Sequence, residues 1–194
     1  ACRQYYREHG TNCIYITVNP CIKSSKSVLE LIGSKLNVSS GSVSRLWLEI
    51  SSKLSDGMVI IVDEAQHLTR NAIDTLRSLC DCFDEKGQTL GICFVGNETT
   101  VSRLGGKQKA EFAQIRNRTK NTRFYSVKQI KKSDIEMLFP DIREDTAAVE
   151  FLLCIAQSPQ AIRGAVNLYS NALDNGNVTA KGLSAIAKYM DMAV

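Results

Sequence analysis

The sequence has no long apolar run. Its uninterrupted apolar stretches are about five residues long, against the roughly 20 that a membrane-spanning helix needs, and the opening "ACRQYYREHG" has no apolar segment of the signal-peptide kind. These absences give the reading of a cytoplasmic protein. A C-x-x-C pair is missing too. The seven cysteines (Cys2, Cys13, Cys21, Cys80, Cys82, Cys93, Cys154) are odd in number and scattered. Several fall inside strand-like apolar runs, so buried free thiols are expected rather than disulfides or a zinc site. Cys80 and Cys82, two apart on an expected helix, point to different faces. No low-complexity linker and no internal repeat interrupts the chain. What is present is 194 residues, 44% of them hydrophobic, enough for one domain with a real core or for a domain with a small appendage.

Strand and helix signals alternate through the first two thirds. Residues 1–9 read as a helix, "CIYITVN" (13–19) as a β-branched and aromatic strand, and 28–36 as a helix. Over 42–54 the residues Val43, Leu46, Trp47, Ile50 and Leu54 recur with the spacing of one apolar helix face. "MVIIV" is a strand without polar alternation. A helix over 71–83 turns Ile73, Leu76, Leu79 or Cys80, and Phe83 inward, and "TLGICFVG" (89–96) is a second continuous apolar strand. Such strands are expected to be buried on both faces, as in a parallel sheet between helix layers. The class is α/β. After residue 130 the strand signals stop. Ser133 is the expected N-cap of "DIEMLF", and helices are expected at 144–157, 160–173 and 179–190, the last two parted by the turn signal "DNGN". The expected organisation is therefore an α/β core over 1–130 and a small all-helical unit over 131–194.

In "MVIIVDEAQHL" the apolar strand ends in Asp63 and Glu64. Two acids at the carboxyl end of a parallel strand lie where such sheets bind ligands. In phosphate-transferring ATPases this placing lets the aspartate hold magnesium, directly or through water, while the adjacent glutamate polarises the attacking water. An acidic helix start favoured by the helix dipole is the plainer alternative. The next apolar strand ends at Gly96 and Asn97, which brings a polar amide out beside the acids. Further on lie Arg116 and Arg118 in "FAQIRNR", and Arg163 in "SPQAIRGAVNLYSNAL".

That order of elements resembles the AAA+ ATPase module: Walker B (Asp63, Glu64), sensor 1 (Asn97), arginine finger (Arg116 or Arg118) and sensor 2 (Arg163). "IIVDEAQHL", "FVGNETT" and "FAQIRNR" are most similar to the DNA-transposition group, to which phage Mu transposition protein B and the TniB and TnsC proteins belong; origin-recognition and ExeA-type ATPases are the wider relatives. The resemblance implies an ATPase using ATP and Mg2+, with Asp63 on the metal through water. It also implies assembly as a ring or filament on double-stranded DNA and recruitment or activation of a transposase, with the helical unit as lid.

One family element is missing from the chain. No G-x-x-x-x-G-K-[ST] occurs: Gly106-Lys107 is followed by Gln108, and Lys26-Ser27 has no glycine before it. Such a loop is needed because glycine frees backbone amides to cradle phosphates while its lysine reaches them. In the family it lies just before the first helix, inside which this chain opens. The expectation is a C-terminal portion of a longer ATPase, inactive alone and without bound nucleotide. The resemblance further implies a missing central strand between the strand ending near Asn97 and one at about 123–127. Two unpaired edges would follow, and with them a rearranged sheet, a filled edge or self-association.

Charge is unevenly spread. Between 101 and 132 stand ten basic residues (Arg103, Lys107, Lys109, Arg116, Arg118, Lys120, Arg123, Lys128, Lys131, Lys132) against one acid, Glu111, although the whole chain carries only +4. Such a cluster is the footprint of a polyanion. Contact with a duplex backbone is expected rather than aromatic stacking on single strands, through Arg103, Lys107, Lys109, Lys120 and Arg123. A non-catalytic DNA-binding or oligomerisation module is the other reading of the same chain. His67 reads as a helix-start residue, and His9 as a helix-end residue whose charge suits the dipole.

Overall fold

The computed structural model describes residues 2–100 and 121–192. The chain divides into two compact units, Ala1–Lys120 and Asn121–Val194. The first holds a three-stranded parallel sheet in the order β1-β2-β3, formed by β1 (Cys13–Thr17), β2 (Met58–Asp63) and β3 (Leu90–Phe94). Helix α1 (Cys2–Glu8) precedes the sheet, α2 (Ser25–Lys35) and α3 (Val43–Lys53) join β1 to β2, and α4 (Arg70–Glu85) joins β2 to β3. Parallel neighbours require such crossovers.

Register sorts the strand residues into two faces. Ile14, Ile60 and Ile92 lie side by side, and with Ile16, Val18, Met58, Val62, Leu90 and Phe94 they form one apolar layer. Against it pack Val28, Leu29 and Ile32 of α2, Leu46 and Ile50 of α3, and Ile73, Leu76, Leu79 and Phe83 of α4. The periodic face expected on the third helix is there, with two shifts. Val43 is 40% exposed, and Trp47 is half-buried with its indole N–H donating to Ser78 Oγ at 2.8 Å.

The opposite face differs from expectation. It carries Cys13, Tyr15, Val59, Ile61, Gly91 and Cys93, and α1 reaches it through Tyr6 against Tyr15 at 5.8 Å between ring centroids. Cys13 and Ile61 are buried, Tyr15, Val59 and Gly91 half-buried, and Cys93 exposed. Burial on both faces, inferred from unbroken apolar composition, thus holds for most of one face, where only Ile92 and Phe94 of these strand residues are half-buried, and for Cys13 and Ile61 on the other. The thiols follow suit: all seven are free, but only Cys13 is buried, and Cys21, Cys93 and Cys154 are exposed.

The second unit is helical. Its helices are α5 (Lys132–Leu138), α6 (Thr146–Gln157), α7 (Ala161–Asp174) and α8 (Ala180–Tyr189). Ile135, Phe139, Ile142, Val149, Leu152, Ile155, Leu168 and Leu183 build its core, with alanines at Ala148, Ala165, Ala172 and Ala187 where the helices approach. Two local expectations are corrected. Ser133 lies inside α5 rather than at its N-cap: Lys131 is the cap, and its backbone N–H donates to Asp134 at 2.8 Å. Residues 123–126 form no strand, and Val127–Gln129 is a 3-10 turn. A strand exists by its ladder partners, and among the described residues this stretch has none.

Candidate functional site

The acids stand where the strand pattern put them. Asp63 closes β2, half-buried, and Glu64 follows, exposed. Glu64 adopts a left-handed backbone, φ 59° and ψ 33°, a conformation that costs a non-glycine residue about 1–2 kcal/mol. That turn tips the chain out of the sheet into the 3-10 turn Ala65–His67, where His67 sits half-buried. The Glu64 backbone N–H donates to Asp63 Oδ1 at 3.0 Å.

A hydrogen-bond chain then connects the acids to the neighbouring strand. Gln66 Nε2 donates to Glu64 Oε2 at 2.5 Å, while Gln66 Oε1 accepts from the Asn97 backbone N–H at 3.4 Å. Beside it the Ala65 N–H donates to Val95 O at 2.8 Å. Gly96 makes this approach possible, since a Cβ there would collide with Gln66 Oε1 and Thr100 Oγ1. Asn97 is exposed, as a polar group emerging beside the acids should be, and its side-chain Oδ1 accepts from the Thr99 N–H at 3.0 Å. Gln66 therefore links two expected site residues. Nothing in the spacing marked it, because its role depends on the close approach at Gly96.

Asp63 has a second set of partners, also absent from the expected list. The Tyr15 hydroxyl donates to Asp63 Oδ2, and Arg3 Nε of α1 donates to Tyr15 Oη at 3.5 Å. Burial, and after it the bond to Asp63, pushes the Tyr15 phenol above its usual range.

The other expected residues fall elsewhere. Arg163 is exposed on α7, in the second unit. Arg103, Lys107, Lys109, Arg116, Arg118 and Lys120 lie outside the described residues. Of the basic cluster, Arg123, Lys128 and Lys131 are described and exposed. Between them stand Phe124 and Tyr125, 62% and 83% exposed, an aromatic pair that the duplex-only reading of this segment passed over.

As a donor set, Asp63 and Glu64 offer hard carboxylate oxygens. Among the described residues no group of three or more His, Cys, Asp or Glu side chains is placed to hold a metal unaided. Carboxylate oxygens such as these suit magnesium, which keeps several waters and takes one or two carboxylates together with substrate phosphates.

A strand-end acidic pair and a polar neighbour on the next strand, in a chain that continues into a helical unit, define a class. The family model described as AAA domain matches residues 1–104, and the chain belongs to this family. Its curated relatives are transposition proteins. It is 28% identical over 185 residues to the ATP-dependent target DNA activator B of Escherichia phage Mu, covering 91% of this chain and 55% of that protein. To the Mu-like prophage FluMu DNA transposition protein B of Haemophilus influenzae it is 27% identical over 180 residues, covering 88% and 59%. The chain thus spans little more than half the length of these relatives. Among solved structures it is similar to the Thermotoga maritima RuvB Holliday junction branch migration motor, with a TM-score of 0.51 and 17% identity over 96% of this chain and 65% of that one. That likeness concerns the fold alone.

Proposed function

We propose that this chain belongs to an ATP-dependent, DNA-binding regulator of DNA transposition that engages double-stranded target DNA and activates a transposase. The observation that carries the reading is the acidic pair at the end of β2, in a chain whose curated relatives are named target DNA activator B and DNA transposition protein B. Asp63 takes the magnesium-holding role, through water. Bound magnesium and ATP would supply the electrophilic phosphoryl group and neutralise charge developing on its oxygens. Glu64, exposed and turned out of the sheet, accepts the proton of the attacking water, and Asn97 orients that water. Arg163 senses the γ-phosphate. Arg116 or Arg118 completes the site of a neighbouring copy in a ring or filament, and the cluster from Arg103 to Lys132 tracks DNA phosphates.

The test is fluorescence anisotropy of the full-length protein on a labelled duplex, with and without ATP and Mg2+, across a salt series. Binding is expected to tighten with ATP and to weaken with log salt, at a slope of about −0.9 per phosphate contacted. Absence of binding at low salt in the presence of ATP would overturn the proposal.

A further inference from the structure

The register of β1 against β2 sets Tyr15 opposite Ile61, so the Tyr15 side chain rises on the face that also bears Asp63, two residues further along β2. Its hydroxyl donates to Asp63 Oδ2, and the Glu64 N–H donates to Oδ1 at 3.0 Å. Each oxygen of the carboxylate therefore has its own donor. One orientation of Asp63 satisfies both, and a side chain otherwise free to rotate is fixed. A carboxylate oxygen has about two acceptor directions, so each keeps one for a metal ion or its bound water.

The direction of the phenol proton is determined as well. Arg3 Nε, 3.5 Å from Tyr15 Oη, can only donate, and an ionised carboxylate can only accept. Tyr15 Oη thus accepts from Arg3 and gives its proton to Asp63.

We propose that Tyr15 is the positioning residue for the magnesium-holding carboxylate, with Arg3 fixing the direction of its hydroxyl proton. The inference rests on the reading of Asp63 given above. Partners that orient a ligating side chain typically change metal affinity by about 10–100-fold when removed, and Tyr15 fills that place for Asp63.

The experiment is Mn2+ binding to the full-length protein, read from the EPR signal of free Mn2+ in the presence of a non-hydrolysable ATP analogue. Wild type, Tyr15→Phe, Arg3→Met and Asp63→Asn are compared, and melting temperatures are measured alongside. Tyr15→Phe is expected to weaken Mn2+ binding by about tenfold, with nucleotide affinity at saturating Mn2+ and the melting temperature unchanged. Arg3→Met, on an exposed helix whose loss of one side chain does not threaten folding, moves binding the same way by less. Wild-type Mn2+ affinity in both variants, with Asp63→Asn impaired, overturns the positioning role and leaves the reading of Asp63 standing. Wild-type affinity in Asp63→Asn overturns that reading and this inference together. A loss in Tyr15→Phe that merely follows a lowered melting temperature, with Arg3→Met unchanged, also overturns it, since it makes Tyr15 structural.

Discussion

The two faces of the β-sheet carry residues of similar apolarity and are put to different uses. On one face Ile60 and Val62 are fully buried beneath α2, α3 and α4. On the other, one residue away along the same strand, Val59 is half-buried, and across the sheet Cys93 is exposed. The second face carries the Arg3–Tyr15–Asp63 chain. Close packing stabilises but tolerates no ligand, whereas a partly open face leaves a carboxylate within reach of solvent while still lowering the number of ways it can point. The chemistry therefore lies on the less completely covered side of the sheet, where Cys13 and Ile61 are buried but Tyr15, Val59 and Gly91 are half-buried and Cys93 is exposed.

The sharpest way to break this comparison is to truncate adjacent residues of β2. Ile60→Ala, at a position with 0% exposure, is expected to cost about 2–5 kcal/mol in urea denaturation, from lost transfer energy plus an unfilled cavity. Val59→Ala, half-buried on the other face, is expected to cost about 1 kcal/mol, as a group already in part solvated. Equal losses would mean that the second face is as tightly covered as the first.

How far the sequence alone leads can be judged from the same residues. Asp63 and Glu64 were legible because a run such as "MVIIV" makes a strand, and the charges after it must lie at its end. Asn97 was legible for the same reason, one strand over. Tyr15, Arg3 and Gln66 were not. Tyr15 meets Asp63 only through the parallel register across 48 positions, and Gln66 reaches Asn97 only because Gly96 lets two loops touch. Burial on both sheet faces was over-read, since apolar composition tells that a residue is able to be covered and not what covers it. The strand at 123–127 was expected from the family resemblance alone, and a strand needs a ladder to join, which this stretch lacks among the described residues. At α5 the error was one of capping chemistry, where Asp134 reaches back to Lys131 and competes successfully with Ser133.

A substitution at the edge between the two faces sharpens the contrast and has the opposite sign. Glu64 holds φ 59°, and the left-handed region costs an L-residue about 1–2 kcal/mol, offset in glycine by about 0.5–1 kcal/mol of extra chain entropy. Glu64→Gly is therefore expected to raise stability by about 0.5 kcal/mol while abolishing ATP hydrolysis in the full-length protein. Stability is read by urea denaturation and turnover by phosphate release. A destabilised variant would show that the bond from Gln66 outweighs the backbone strain.

The smallest effect concerns what a tyrosine–carboxylate bond contributes where no metal role is assigned. In the second unit the Tyr169 hydroxyl donates to Asp141 Oδ2 at 3.1 Å, with its ring against Phe139 at 4.5 Å. Tyr169→Phe keeps the ring contact and removes one partly solvated hydrogen bond, so a loss of about 0.5 kcal/mol is expected at neutral pH. Burial, then the bond to Asp141, raises the Tyr169 phenol above 10.0. A raised folded pKa means that the native state holds its proton more tightly than the unfolded chain, so the contribution is fully present below the unfolded value and is lost as pH rises through the folded one. Wild type should accordingly lose stability more steeply than Tyr169→Phe above pH 10, and the two melting curves should run parallel below about pH 9. This pair gives the reference against which Tyr15→Phe is read: if Tyr15→Phe costs no more stability than Tyr169→Phe and it alone changes Mn2+ affinity, the difference between them is the positioning of Asp63. If the alkaline slopes of wild type and Tyr169→Phe coincide, the Asp141 bond is too solvated to serve as that reference.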